Sequence, residues 1–142
     1  MSGRTKQRRP SSFLRKGSTR TVLVFGPLAV KIGRGARGRR CNRFEVSLYR
    51  RVNARRRATL CPVLWCTPRG RILLMRAARP LTEAEAIMLR ATRTFPDWDY
   101  VPPDETAPFE YKASDWGWLK DRLVALDYSA PALFEDVLPG GL

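Results

Sequence analysis

The sequence contains no histidine and no apolar run of about eighteen residues, the length that a membrane-spanning helix needs. Without histidine, the chain cannot build a Cys/His zinc site or the Ser-His-Asp and Cys-His groups of many hydrolases. The N-terminus is rich in arginine, but no apolar stretch follows it that would form a secretory signal. We therefore predict a cytoplasmic protein without zinc and without a membrane partner.

Cysteine is scarce as well. The three residues Cys41, Cys61 and Cys66 form no Cys-x-x-Cys pair, so we expect buried free thiols in a reducing compartment. The enzymatic chemistry open to such a chain is limited to carboxylates, lysine or a bound metal ion.

The residues that are present suffice for one folded domain, because 44% of the 142 are apolar. Their charge is unevenly placed. Residues 1–60 contain eighteen Lys and Arg and a single acid, Glu45, a net charge of +17, whereas residues 61–142 have a net charge of −3. A field of this kind attracts polyanions, so nucleic acid or an acidic protein surface is a candidate partner. A basic segment that only improves solubility is the alternative.

The apolar pattern predicts an α+β domain. Residues 1–20 lack an apolar period of their own and are predicted to form a basic mobile arm, although Phe13 and Leu14 allow a short strand there. Three hairpins and two amphipathic helices follow. We place the hairpins at residues 21–32, 60–75 and 116–127, the helices at 42–53 and 82–93, a glycine and arginine loop at 33–40, and a proline-rich loop at 95–109.

Both helix starts are predicted from capping residues. Asn42 is followed three positions later by Glu45, and Thr82 is followed in the same way by Glu85, which is the spacing of a capping box. The exposed face of the first helix would carry three arginines: Arg43, Arg50 and Arg51.

The four tryptophans have two interpretations. Beside clusters of arginine they suggest stacking on nucleic-acid bases, whereas their apolar neighbours favour packing in or over the core for Trp65, Trp116 and Trp118. Trp98 lies in the proline-rich loop among acids, so we expect it to be exposed and to contact a partner.

Four short segments carry further information. They are Leu-Ala-Val-Lys at 28–31, Met-Arg-Ala-Ala-Arg-Pro at 75–80, Ser-Asp-Trp-Gly at 114–117 and Asp-Tyr-Ser at 127–129. In this order, with a helix carrying Glu45 between the first two, they resemble the protein-kinase fold, including the small kinase-like proteins of bacteria and their phages. The resemblance covers residues 21–129. It implies a truncated protein-kinase-like core, with an N-lobe-like sheet and helix over 21–79 and a reduced C-lobe-like segment over 80–142.

The resemblance implies that the N-terminal half binds ATP. Lys31 would hold the α- and β-phosphates, with Glu45 as its partner on the helix. The segment around Met75 and Ala77 would bind the adenine through its backbone. The alternative is that Lys31 is a charge at a strand edge and Glu45 only a capping residue.

The resemblance also implies a magnesium site in the C-terminal half. Asp115 stands where the family has the catalytic-loop Asn, and Asp127 stands where it has the metal-binding Asp. Two oxygen ligands of this kind suit a Mg²⁺ ion that bridges nucleotide phosphates. The alternative is that Asp115 is a turn former and Asp127 an acid at the end of a strand.

Three departures from the family favour binding over phosphoryl transfer. No His-Arg-Asp segment is present, so Glu110 is the candidate left for the general base. No GxGxxG loop precedes the first strands, and only fifteen residues follow Asp127, too few for an activation segment and a substrate platform. Positioning supplies most of the rate in phosphoryl transfer, so these losses would be severe.

The sequence therefore favours a degenerate kinase-like binding protein that acts as a basic regulator or inhibitor, encoded by a phage or mobile element. Its partner would be a nucleic acid, an acidic protein surface or a complex of both, and whether it is an enzyme stays open. The alternatives are an active minimal protein kinase that uses ATP and Mg²⁺, and an unrelated α+β nucleic-acid-binding module. The residues predicted to meet the partner are Arg34, Arg37, Arg39, Arg40, Arg50, Arg51, Arg55, Arg56, Arg57 and Trp98.

Overall fold

A computed structural model describes residues 12–16, 19–98 and 107–134. Within these ranges the chain is α+β, with two antiparallel sheets and a few helices, none of them long and apolar enough to cross a membrane. The strands are β1 (Ser12–Lys16), β2 (Arg20–Phe25), β3 (Leu28–Gly33), β4 (Val63–Cys66), β5 (Ile72–Arg76), β6 (Arg79–Pro80), β7 (Trp116–Leu119) and β8 (Arg122–Ala125). The helices are α1 (Gly35–Arg51), α2 (Ala54–Arg57), α3 (Glu83–Thr92) and α4 (Ala130–Phe134), with a 3₁₀ turn at Ala113–Asp115.

The larger sheet has five strands in the order β1-β2-β3-β5-β4, and α1 packs against one of its faces. In the strand register, Lys31 lies between Val22 on β2 and Leu73 on β5. Paired residues share a face of the sheet. Because Lys31 contacts Glu45 on α1, this is the face that α1 covers.

The smaller sheet has the order β6-β7-β8 and is joined to the larger one by backbone hydrogen bonds. The Cys61 amide donates to the Ala125 carbonyl at 2.9 Å, and the Ala125 amide donates to the Thr59 carbonyl at 2.8 Å. The chain passes from one sheet to the other at residues 76–80. These connections hold the two sheets on either side of a cleft.

The predicted hairpins and the second helix start are confirmed. Gly26 has a φ of 53°, a left-handed conformation that glycine tolerates, and it allows the tight turn between β2 and β3. Thr82 and Glu85 form the predicted capping box at the start of α3, each side chain accepting from the backbone amide of the other. The reason for this success is that both signals depend on local chemistry alone.

The predicted N-terminal arm is wrong over part of its length. Ser12–Lys16 form β1, which pairs antiparallel with β2, and Arg20 belongs to β2 and is buried. The short strand that Phe13 and Leu14 allowed is thus present. Its pairing with β2 uses backbone groups, so a mostly polar segment can also form it. Residues 1–11, 17 and 18 of the predicted arm lie outside the described residues.

The predicted loop at 33–40 and the helix start at Asn42 are also wrong, because α1 begins at Gly35. Asn42 is buried two turns inside the helix, and its amide group donates to the carbonyls of Lys31 at 3.0 Å and Gly70 at 2.8 Å. An Asn at this position therefore joins α1 to the sheet and does not cap it.

Gly38 explains why a glycine-rich segment is helical here. A Cβ atom at this position would lie 2.2 Å from the carbonyl oxygen of Thr19 and 2.8 Å from the backbone of Gly33. The missing side chain thus lets the first turns of α1 approach the start of β2 closely. The glycine is needed for packing and not for flexibility.

Trp65, predicted to pack in or over the core, is 54% exposed and so does not lie in the core. It pairs with Leu74, one residue from Leu73, and therefore lies on the face of the sheet opposite α1. Trp116 is fully buried, as predicted, and Trp118 is partly buried. The apolar run around Trp65 gave no indication that β4 is the edge strand.

The cysteines are free thiols, as predicted. Cys41 and Cys61 are buried, and Cys66 is partly buried. Burial raises the pKa of the Cys61 thiol to about 11, so this side chain is protonated at neutral pH and unreactive.

We predict that Gly38→Ala destabilises the protein by about 1–3 kcal/mol, since the new methyl group has no room against the backbone of Thr19. Urea unfolding would measure the loss. Ser47→Ala, on the exposed side of the same helix, is the matched control and should change the free energy of unfolding by no more than about 0.5 kcal/mol. Equal stabilities for the two variants would contradict the close approach of α1 and β2.

Candidate functional site

A cleft of about 250 Å³ lies between the α1-covered face of the larger sheet and the smaller sheet. One end of the cleft is mostly apolar, with Arg76 beside it, and the other end, around Lys31, is charged. The apolar end is lined by Val22, Val24, Ala29, Met75, Ala77, Ala78 and Pro80. The charged residues that line it are Arg20, Lys31, Arg76, Lys112, Asp115 and Asp127.

The structure brings Lys31 and Glu45 together. The Lys31 Nζ atom donates to both carboxylate oxygens of Glu45, at 2.9 and 3.2 Å, and also to the carbonyl of Leu126. Glu45 is fully buried, and its second oxygen accepts from the amide of Tyr128 at 2.8 Å. The single acid in the first 60 residues therefore lies at the junction of β3, α1 and the segment after β8.

Arg20 is the central residue that the sequence did not reveal. It is 5% exposed, and its guanidinium group donates to Glu45, to Asn42 at 3.2 Å, to Asp127 at 3.0 Å and to Ser129 at 3.0 Å. All four partners lie on α1 or after β8, so one side chain of β2 joins three parts of the molecule. Its position within a basic segment made it indistinguishable from its neighbours in the sequence.

The opposite charges of this network stabilise one another's ionised forms. Burial disfavours charge on Arg20, but the carboxylates of Glu45 and Asp127 outweigh burial and raise its pKa above the ordinary value. Burial likewise disfavours charge on Asp127, yet Arg20 and Lys31 lower its pKa to about 2. Both groups are therefore ionised at neutral pH, and each depends on the other.

Asp115 differs from Asp127 although both line the cleft. Burial, with a smaller contribution from the charge of Asp127, raises the pKa of Asp115 to about 6. One of its oxygens accepts from the amide of Glu110 at 3.1 Å. This carboxylate is therefore close to accepting a proton at neutral pH, while Asp127 is not.

The two carboxylates are a poor fit for Mg²⁺. Asp127 Oδ1 already accepts from Arg20 and from the amide and hydroxyl groups of Ser129. Asp115 is buried, and one of its oxygens already accepts from the Glu110 amide. Among the described residues, no group of three or more His, Cys, Asp or Glu side chains could hold a metal ion.

The predicted adenine-binding segment lies along the apolar end of the cleft. Met75 is buried and, like Ala77, lines the cleft. The Ala77 amide, however, donates to the Pro27 carbonyl in the turn between β2 and β3, at 2.8 Å. This donor is occupied, so a bound base would have to use other backbone groups of residues 76–80.

The candidate base Glu110 is not brought to the cleft. Its side chain is 68% exposed and pairs with Lys112 at 3.2 Å, and it is not among the residues that line the cleft. Its backbone instead holds Asp115 and accepts from the Trp116 indole at 2.8 Å. The segment after Pro108 therefore supports the site structurally.

A second feature is a basic groove between α1 and the end of β4. Its volume is about 500 Å³, and Arg43, Arg50 and Arg51 line it from one face of the helix with Ser47 between them. All three arginines are exposed, as predicted. Arg34, Arg37 and Arg55 are exposed, while Arg39 and Arg40 are partly buried.

Three of the residues predicted to meet the partner form contacts within the chain. Trp98 is 1% exposed, and the Arg56 guanidinium stacks over its ring at 4.8 Å and donates to its carbonyl. Arg57 donates to carbonyls at the end of α1, including that of Val52 at 2.8 Å. The prediction that Trp98 is exposed is wrong, because Arg56 and the aromatic ring of Phe109 cover it.

Comparison with known proteins adds no relative: no protein-family model, curated protein or solved structure matches this chain. Functional inference therefore depends on the cleft and the groove themselves.

We expect Arg20→Met to lower the free energy of unfolding by about 3 kcal/mol, because Asp127 would be left without its closest cation and Glu45 would lose one of two. Arg76→Met is the matched control, since Arg76 lines the same cleft but is exposed, and it should cost at most about 0.5 kcal/mol. Denaturant unfolding of both variants would decide. Similar losses would show that Arg20 does not hold the fold together.

Proposed function

We propose that this protein is a degenerate kinase-like binding protein: its cleft binds a nucleotide without transferring phosphate, and its basic groove contacts a polyanionic partner. The observation that carries the proposal is that Lys31 and Asp127 line one cleft while Glu45 pairs with Lys31 beside it. In protein kinases a lysine of the third strand pairs with a glutamate of the following helix, next to a metal-binding aspartate. The similarity of the two arrangements supports the proposal.

The shape of the cleft supports a nucleotide as the ligand. An apolar end formed by small and aliphatic side chains suits a flat base, and a charged end suits phosphates. The order of elements supports the kinase-like assignment as well, because α1 follows the strand of Lys31 and residues 76–80 connect the two halves.

The same geometry argues against efficient phosphoryl transfer. Glu110 does not line the cleft, and Arg20 pairs with Asp127. Beyond its pair with Glu45, Lys31 also donates to the carbonyl of Leu126. In a catalytic site these groups would have to face the substrate before the reaction begins. Here they form hydrogen bonds and ion pairs with other groups of the chain.

The groove formed by Arg43, Arg50 and Arg51 supports the polyanionic partner. Guanidinium groups bind phosphate and carboxylate oxygens in a fixed, two-pronged geometry, and three of them on one helix face match a repeating anion. Ser47 and Thr67 add hydroxyl groups to the same groove. A regulator or inhibitor that acts on a nucleic-acid complex or an acidic protein would use such a surface.

We predict that saturating ATP with Mg²⁺ stabilises the wild type, by about 2.7 kcal/mol at a hundred times the dissociation constant, and that no labelled phosphate is transferred to added proteins. Ala29→Phe should abolish the rise in melting temperature, because the larger side chain fills the apolar end of the cleft. Thr21→Phe, on the opposite face of the neighbouring strand, is the control and should retain the rise. Transfer that Asp127→Asn abolishes would refute the binding-only function.

We predict that a fluorescent single-stranded oligonucleotide binds with an affinity that falls steeply with salt. Arg50→Gln with Arg51→Gln should reduce the slope of log K against log salt by about 1 to 2, because two phosphate contacts are lost. Arg93→Gln with Arg122→Gln removes the same charge from exposed positions elsewhere and should leave most of the slope. Fluorescence anisotropy provides the measurement, and polyglutamate as competitor reports on an acidic protein partner. Salt-independent binding would argue against the groove.

A further inference from the structure

The side chains that line the cleft as a whole carry more positive than negative charge before any ion binds. Four cations line the cleft, Arg20, Lys31, Arg76 and Lys112, against two acids, Asp115 and Asp127. Glu45 adds one negative charge behind Lys31, so the cations still exceed the acids. A site of this sign attracts an anion and repels a divalent cation.

Arg20 is placed where it performs the electrostatic task of a metal ion. In a metal-dependent nucleotide site, the cation neutralises a carboxylate and the phosphates at once. Here the Arg20 guanidinium lies 3.0 Å from Asp127 Oδ1 and is itself almost fully buried. The carboxylate is therefore neutralised by a group that belongs to the chain.

Lys112 is an exposed cation of the cleft and lies near its two acids. It lines the cleft, its side chain is 49% exposed, and among the described residues it pairs with the exposed carboxylate of Glu110. Burial raises the pKa of Asp115 in the cleft, and the positive charge of Lys112 partly offsets this rise. An exchange of Glu110 for a phosphate group would cost little, because exposed ion pairs are weak.

We propose that the cleft binds its nucleotide without a divalent metal ion, with Lys112 contacting the phosphates and Arg20 keeping Asp127 neutralised. This inference rests on the proposed nucleotide-binding function. It goes beyond that function because it replaces the cofactor that a kinase-like site implies with residues of the chain.

The test compares ADP binding by the wild type in EDTA and in MgCl₂, by the shift in melting temperature and by calorimetry. We expect equal shifts and equal dissociation constants in the two buffers. A shift that appears only with MgCl₂ would overturn the metal-free site and leave nucleotide binding intact. No shift in either buffer would overturn nucleotide binding itself, and the metal-free site with it.

Two substitutions sharpen the test. Lys112→Gln should weaken ADP binding by about two- to fivefold in both buffers, which is the range of an exposed ion pair, whereas Lys120→Gln, in the exposed turn between β7 and β8, should not.

Asp127→Asn should leave the affinity in EDTA equal or higher, since it removes a negative charge near the phosphates. A loss of affinity in Asp127→Asn that is confined to MgCl₂ would identify Asp127 as a metal ligand. If that variant does not fold, the pair Lys112→Gln and Lys120→Gln still decides, because equal affinities would refute the role of Lys112.

Discussion

The structure depends on a set of four charges that satisfy one another: Arg20, Lys31 and Glu45, which are buried, and Asp127, which is half-exposed. An isolated charge in a protein interior is costly, and removing one partner of a buried pair leaves the other uncompensated. The set is held by β2, β3, α1 and the segment after β8, so it fixes the relative position of both sheets. The network therefore keeps the two sides of the cleft at a fixed distance from each other.

Much of the local architecture was accessible from the sequence. Hairpin turns and capping boxes depend on residues within a few positions of one another, which is why the turn at Gly26 and the start of α3 at Thr82 were predicted correctly. The pairing of Lys31 with Glu45 was also within reach. Only one acid occurs in the first half of the chain, and a buried lysine requires an acid nearby.

Other features depended on tertiary contacts that no local pattern reports. Arg20 is one of eighteen basic residues before position 61, and nothing in its neighbourhood shows that it becomes buried. Gly38 looked like part of a flexible loop, because a missing Cβ signals close packing only when the neighbouring backbone is known. Trp65 is exposed and Trp98 is buried for the same reason. The exposure of a side chain depends on whether its strand lies at a sheet edge and on neighbours such as Arg56, which are distant in sequence.

The network also bears on the order of folding. Arg20 and Asp127 are separated by 107 positions, so until the third hairpin is present the larger sheet holds two cations against a single glutamate. We expect this excess of positive charge to oppose closure of that half. The domain should therefore become stable late and as one cooperative unit, once the segment after β8 has joined the network.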